Sequence, residues 1–153
     1  MQEIFLGRQP ILDRDQNLVA YELLFRSGHT TYAGVTDDAS ASASVIVNAY
    51  MELGLENVLG KQLGFINVNA ELLMSDMIYL LPRKQVVLEL LETVEITDEV
   101  VRRCGELRSM GYQLALDDVV EVTSPIKRLL PLVDLIKIDL LQTSAQALLQ
   151  LIS

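Results

Sequence analysis

The chain has one cysteine, no tryptophan, three phenylalanines, one histidine and only four prolines in 153 residues. A lone Cys104 cannot close an internal disulfide, which suits a reducing cytoplasm and removes any thiolate metal cluster. It reads as a small apolar residue on a helix. The single His29 lies in the polar stretch Ser27-Gly28-His29-Thr30-Thr31, which reads as a solvated loop. Zinc chemistry built on His and Cys is therefore disfavoured. Basic residues are also scarce: 12 Lys and Arg stand against 21 Asp and Glu, a net charge of -9. With no cluster of cations to displace counterions from phosphates, binding to a nucleic-acid polymer is not expected. The N-terminus lacks a basic segment followed by an apolar run, so no signal peptide is read, and runs such as Met77 to Pro82 are too short to cross a bilayer. No glycine-rich phosphate loop, dinucleotide fingerprint or nucleophile elbow occurs.

What remains is a globular composition, with hydrophobic residues at 50% and charged residues at 22%. That is enough for one domain, or part of one, with a real core. Short strands are expected at Glu3 to Leu6 and at Leu18 to Phe25, joined through the turn cluster Asp13 to Asn17. Asp37-Asp38 would open a helix ending near Leu53, where Gly54 is placed to terminate it. Then come strand Phe65 to Val68, helix Ala70 to Leu80 and strand Val86 to Leu90. A helix capped by Thr97 reaches Met110. Strand Gln113 to Asp117, a short helix near Pro125 to Leu130, strand Leu135 to Ile138 and a helix from about Thr143 complete the order. Alternating helices and nearly continuous apolar strands predict a parallel sheet covered by helices. About six strands are counted, where a closed (β/α)₈ barrel has eight and roughly 250 residues. Residues 1–153 are thus expected to form a single α/β domain, TIM-barrel-like but incomplete and truncated at the C-terminus. Its unpaired sheet edges favour a homodimer or another protein partner.

Nearly every strand carries a polar residue at or near its C-terminal end: Glu22 and Arg26, Asn67, Glu89, Asp117 with Asp118, then Lys137 and Asp139. Side chains two apart on a strand share a face, and in parallel α/β sheets the C-terminal strand ends form the rim that binds ligands. Each residue has a simpler reading. Glu22 and Arg26 would make a salt bridge, Asn67 a helix cap, Glu89 and Glu92 solvated residues at a strand-to-loop junction, Asp117-Asp118 a turn, and Lys137 a neutralising charge. Their joint placement at one end of consecutive strands argues for a site. Asp, Glu and Asn oxygens without useful His or Cys suit Mg²⁺, Mn²⁺ or Ca²⁺. Such a site would activate water against a phosphate ester, with lysine offsetting developing charge. Enolisation of a carbonyl substrate with Lys137 as base would use similar parts.

Several segments carry a family resemblance. Gln9-Pro10-Ile11 with Tyr21-Glu22-Leu23-Leu24-Phe25-Arg26 resembles the opening of an EAL domain, with Leu23 where the name motif has alanine. Ile66-Asn67-Val68-Asn69 resembles its Val-Asn-x-Ser segment, and Leu88-Glu89-Leu90-Leu91-Glu92 its Glu-x-Thr-Glu segment. Ala115-Leu116-Asp117-Asp118 matches its Asp-Asp motif, and Lys137-Ile138-Asp139 its Lys-Ile-Asp motif. The order and spacing hold across nearly the whole chain. Arg8-Gln9-Pro10-Ile11 is closest to the branch in which an EAL-like domain precedes an HDOD domain, although no HDOD segment lies within these residues.

The resemblance implies metal-ligand positions at Glu22, Asn67, Glu89 and Asp117, with Asp118 toward a second Mg²⁺ or Mn²⁺. It implies catalytic roles for Lys137 and Glu22, and substrate contacts from Arg26 and Gln9. The implied substrate is cyclic di-GMP, opened to the linear dinucleotide. Three departures predict weak metal binding and impaired catalysis. Val119 to Ser124 holds no glycine where the family has a Gly/Ser-rich loop, Leu91 replaces the threonine, and the later strands' Glu and Gln are not in this chain. The expectation is a degenerate EAL signalling module, with an active phosphodiesterase as the alternative.

Overall fold

The computed structural model describes residues 4–27, 43–119 and 121–138. It opens with a β-hairpin, β1 (Ile4–Leu12) against β2 (Leu18–Ser27), paired antiparallel. Asp13 builds the turn: its carboxylate accepts from the backbone N–H groups of Asp15 and Asn17 at 2.8 and 2.9 Å. β1 runs well past the Leu6 expected from sequence. Residues 7–10 are exposed and show no apolar alternation, and hairpin pairing alone carries the strand through them. Pro10 is tolerated because β1 stands at one end of the sheet, where a missing N–H costs no ladder bond on the open side.

From β2 onward every strand is parallel to its neighbour. α1 (Ala43–Leu53) and the short α2 (Leu55–Leu59) lead to β3 (Leu63–Val68), and α3 (Ala70–Met74) to β4 (Val86–Leu90). α4 (Asp98–Ser109) precedes β5 (Gln113–Val119), and α5 (Ser124–Leu129) precedes β6 (Leu135–Ile138). The sheet is six-stranded in the order β1-β2-β3-β4-β5-β6, an incomplete barrel with helices on one side. Gly54, at φ 69°, ends α1 as expected, but the chain re-enters a helix at once and forms an unanticipated α2. The proposed start of α1 at Asp37-Asp38, the loop around His29, Asp139 and the helix from Thr143 lie outside the described residues.

The single helix expected over Ala70 to Leu80 is broken at Ser75. α3 stops at Met74 and a 3₁₀ turn covers Asp76–Leu80. The cause lies far away in sequence. Arg103 of α4 is buried, and its guanidinium donates to the carbonyls of Leu73 and Ser75 at 2.7 and 2.9 Å and to the Tyr79 hydroxyl. The Leu73 carbonyl, which a continuous helix would have used, is thereby bonded by a side chain; the Ser75 carbonyl is shared between Arg103 and the Ile78 N–H at 3.3 Å, and the Ser75 hydroxyl recaps the next turn by accepting from Met77 N–H at 3.1 Å.

Two apolar clusters flank the sheet. The larger lies on the helix side and includes Leu23, Ile66, Leu88, Leu114, Leu116 and Val119. The smaller, on the opposite face, is made by Ala20, Phe65, Val87 and Ala115. Strand periodicity then places Glu22, Asn67, Glu89 and Asp117 on that same face, each two residues beyond a member of the small cluster.

β5 carries the one irregularity between parallel strands. Its pairing with β6 steps from Leu116–Ile136 to Val119–Ile138, so β5 holds an extra residue, and Asp118 sits there at φ 52°. The bulge resets the alternation. Asp117 keeps the concave face, while Val119, which a regular strand would turn inward, joins the helix-side core instead. Asp tolerates the left-handed region better than most residues, yet still at a cost that glycine avoids. Asp118→Gly is therefore expected to keep stability within about 1 kcal/mol of the parent, because strain relief offsets added unfolded-state entropy. Asp118→Val should lower it by about 1–3 kcal/mol. Urea unfolding midpoints decide, and equal stability of the two variants would refute a left-handed residue at this position.

Candidate functional site

The register sets the height of each polar side chain. Glu22 pairs with Phe65 and Phe65 with Val87, so Glu89 lies two residues further along its strand than the rung of Glu22. Glu89 pairs with Ala115 and Ala115 with Leu135, so Lys137 lies two residues further again. An advance of about one residue per strand is the stagger of an eight-stranded barrel with shear 8. Glu22, Glu89 and Lys137, from alternate strands, consequently occupy one layer of the concave face. Asn67 and Asp117, from the intervening strands, stand slightly nearer the mouth.

The contacts agree with this layering. Lys137 Nζ donates to Glu22 Oε1 at 2.8 Å and lies 2.9 Å from Glu89 Oε1 and 3.5 Å from Asp117 Oδ1. Residues far apart in sequence thus meet at one ammonium, which ties β2, β4 and β5 to β6. Glu89 is fully buried, whereas the Lys137 side chain keeps 36% of its surface exposed. Glu89 Oε2 is buried and has no hydrogen-bond partner among the described residues.

Asn67, also buried, pairs in register with Glu89. The helix cap it was weighed for belongs instead to Asn69, whose side chain accepts from Leu72 N–H at 2.8 Å. Gln9 is exposed on β1, opposite Glu22 in the hairpin. Arg26 lies on β2 opposite Phe5, and its side chain is outside what is described. Asp118 is exposed and makes no ion pair among the described residues. It borders an apolar cavity of about 200 Å³ shared with Leu91, Ile96, Val119 and Ile126.

Burial dominates the electrostatics. It pushes the Glu89 carboxyl up to about 7, against the lowering effect of Lys137 and with smaller upward contributions from Asp117 and Glu22. Asp117 is raised by burial too. Lys137 opposes that shift, and Glu92 and Glu22 add to it. Burial alone would lower the Lys137 pKa, but its bonds to Glu22 and Glu89 and the charges of Glu89 and Asp117 outweigh this and raise it. Glu92, in the loop after β4, contributes to the field without a predicted role. Its place in the Leu88 to Glu92 segment was the available signal.

The site offers only oxygen donors, and a fully buried carboxylate oxygen without a hydrogen bond suits a hard cation. Glu22, Asn67, Glu89 and Asp117 are the residues that would hold Mg²⁺ or Mn²⁺. Among the described residues no three Asp, Glu, His or Cys side chains are gathered at metal-holding spacing, because the carboxylates converge on the Lys137 ammonium instead.

The raised Glu89 pKa has a definite sign in stability. An acid that titrates near 4.5 when unfolded and about 7 when folded binds more protons in the native state between those values. Stability contributed by this group is therefore present below about pH 4.5 and lost as pH rises toward 7. In chelator-treated protein, Glu89→Gln should flatten that decline and be the more stable form at pH 8, by an amount on the order of 1–3 kcal/mol. Thermal melts from pH 4.5 to 8 check this, and a parallel pH dependence in parent and variant would count against the assignment.

Comparisons with known proteins fit this geometry. No protein-family model matches the chain. It is 34% identical over 145 residues to an uncharacterized protein, YuxH, of Bacillus subtilis, covering 92% of this chain and 36% of that protein. It is 37% identical over 143 residues to the cyclic di-GMP phosphodiesterase CdgJ of Vibrio cholerae, covering 92% of this chain and 33% of that protein. The chain therefore spans about a third of the length of these curated relatives. Among solved structures, an EAL domain protein from Listeria monocytogenes superposes with a TM-score of 0.62 at 19% identity, over 97% of this chain and 70% of that one. The manganese and cyclic di-GMP complex of BlrP1 from Klebsiella pneumoniae gives 0.61 at 21% identity, over 95% of this chain and 47% of that one. The chain carries the N-terminal part of an EAL-type, TIM-barrel-like fold.

Proposed function

We propose that this chain is the N-terminal part of a degenerate EAL signalling module that binds cyclic di-GMP but hydrolyses it poorly. The observation that carries the proposal is the meeting of Glu22, Glu89 and Asp117 at the ammonium of Lys137. Binding is supported by the residues around the mouth. Lys137 is positioned to offset phosphodiester charge, and Gln9 and Arg26, on the hairpin beside Glu22, are assigned to the ligand. A Mg²⁺ or Mn²⁺ ion bound by the acids and Asn67 would supply Lewis-acid polarisation of the phosphodiester and activation of water. The Vibrio relative is named for cyclic di-GMP hydrolysis, and the Klebsiella structure contains manganese and that nucleotide.

Impaired turnover is supported by the chain's own departures. Leu91, buried where the related motif has threonine, offers no hydrogen bond. After the Asp118 bulge the chain enters α5 through Thr123, which caps Ile126 N–H at 3.3 Å, without a glycine between Val119 and Ser124. A loop of that composition has little freedom to reshape around a metal. Small misplacements of water or phosphate cost orders of magnitude in rate.

A competent phosphodiesterase is the second reading, favoured by the meeting of Glu22, Glu89, Asp117 and Lys137 and by 37% identity to the Vibrio enzyme. We place either activity in the cytoplasm, in keeping with a single buried cysteine. No helix among the described residues is long and apolar enough to cross a membrane. A homodimer or another protein partner at the sheet edges completes the proposal.

Titration calorimetry and a hydrolysis assay with cyclic di-GMP and Mn²⁺ or Mg²⁺ separate the readings. Saturable binding with linear product no faster than the protein-free control is expected. Turnover that Glu22→Ala abolishes would establish the second reading, and neither binding nor turnover would sink both and leave a protein-directed role. Light scattering should show a species larger than a monomer; a monodisperse monomer would remove the self-association.

A further inference from the structure

We infer that Arg8 is a positioning residue, a strap that fixes the β1–β2 hairpin where it leaves the sheet and so sets the place of Gln9 beside Glu22. This rests on reading the mouth as a cyclic di-GMP site to which Gln9 contributes. Among the described residues β2 pairs with β3 from Ala20 to Leu23, and Arg8 lies opposite Leu23 in the hairpin. Beyond that rung, residues 4–7 and 24–27 continue as a two-stranded ribbon. Such a ribbon twists more than a sheet and is marginally stable by itself. Residues 7–10 are exposed, so burial does not hold this part of β1. Arg8 supplies what burial does not. Its guanidinium lies 4.6 Å over the Tyr21 ring and donates to the Val58 carbonyl of α2 at 2.6 Å.

Facing residues of an antiparallel pair share a side of the sheet, and consecutive residues alternate. Arg8 therefore stands with Leu23 on the helix side, and Gln9 with Glu22 on the concave side. The strap grips the strand from behind while Gln9 faces the mouth, so Arg8 acts without touching a ligand. Arginine suits both contacts at once, because its face stacks on an aromatic ring while its edge donates. The Val58 carbonyl lies in the last turn of α2, where helical carbonyls lack a partner within the helix. Without the strap, Gln9 must be ordered at the expense of binding.

Titration calorimetry with cyclic di-GMP and Mn²⁺ on this 153-residue chain tests the role through the parent, Arg8→Met, Gln9→Ala and the double variant. Arg8→Met should bind about three- to tenfold more weakly than the parent, roughly the worth of one hydrogen bond. The double variant should bind no more weakly than Gln9→Ala, since a residue acting through Gln9 has nothing left to lose once that amide is gone. Unchanged affinity in either single variant, or additive losses in the double, would overturn the positioning role and leave the nucleotide site standing. No binding by the parent would overturn that site and the inference with it. Tyr21→Leu removes the stacking platform without altering charge, and it should reproduce the loss. Parental affinity in Tyr21→Leu would make the charge of Arg8 the active feature and overturn the strap. Should Arg8→Met fail to fold, Arg8→Lys takes its place in the cycle. It keeps the charge but loses the planar stack, so a smaller loss, again non-additive with Gln9→Ala, is expected, and none would overturn the role.

Discussion

A buried carboxylate needs a cation, and that requirement organises this molecule. Glu89 lies at the C-terminal end of β4 with no exposed surface, so its charge survives only if a positive group comes to it. The group that comes is Lys137, from β6, two strands away. The reach works because the sheet is staggered as a barrel. Strands that advance by about one residue at each step bring Glu22, Glu89 and Lys137 to a common height. A flat sheet with the same register would spread them along a diagonal. The charge constraint and the curvature are therefore two descriptions of one arrangement.

Much of this was legible in the residues. The placement of Glu22, Asn67, Glu89, Asp117 and Lys137 at or near the C-terminal ends of consecutive strands pointed to one mouth of the sheet, while the small apolar cluster of Ala20, Phe65, Val87 and Ala115 beneath four of them became visible only in the structure. Helix ends written in local chemistry, such as the Thr97 cap and Gly54, were equally readable, because a cap needs only the next three residues. What escaped depended on partners distant in sequence. The β1 strand continues through exposed Arg8-Gln9-Pro10 because β2 pairs with it, and no apolar alternation announces that. The break at Ser75 is imposed by Arg103, a residue on α4 that reads locally as one more charge on a solvated face. The identity of the cap on α3 turned on two asparagines two residues apart, of which Asn67 lies within β3 and Asn69 sits at the helix N-terminus and caps it.

The bulge at Asp118 shows how one added residue serves two needs. β5 must deliver a carboxylate to the concave face and, immediately afterwards, an apolar side chain to the helix side. A regular strand cannot place residues 117 and 119 on opposite faces. The left-handed residue between them makes this possible, and an aspartate there retains an exposed carboxylate beside the mouth. The two consecutive acids, which by sequence looked like equal members of a site, end in different surroundings. Asp117 is drawn toward Lys137, and Asp118 faces solvent and the apolar cavity.

The identity of the cation is the remaining constraint. An apolar side chain at position 137 would leave Glu89, Glu22 and Asp117 facing one another without compensation, and repulsion would open the mouth or force protonation. An arginine would satisfy two carboxylates through its planar fork and, being rigid and strongly bidentate, would lock them into one geometry. Lysine presents one compact charge on a flexible stem. It can sit between several oxygens without geometric preference. A cation of that kind keeps the mouth closed without locking its acids into one geometry, and position 137 is where the barrel stagger allows one to reach all three acids.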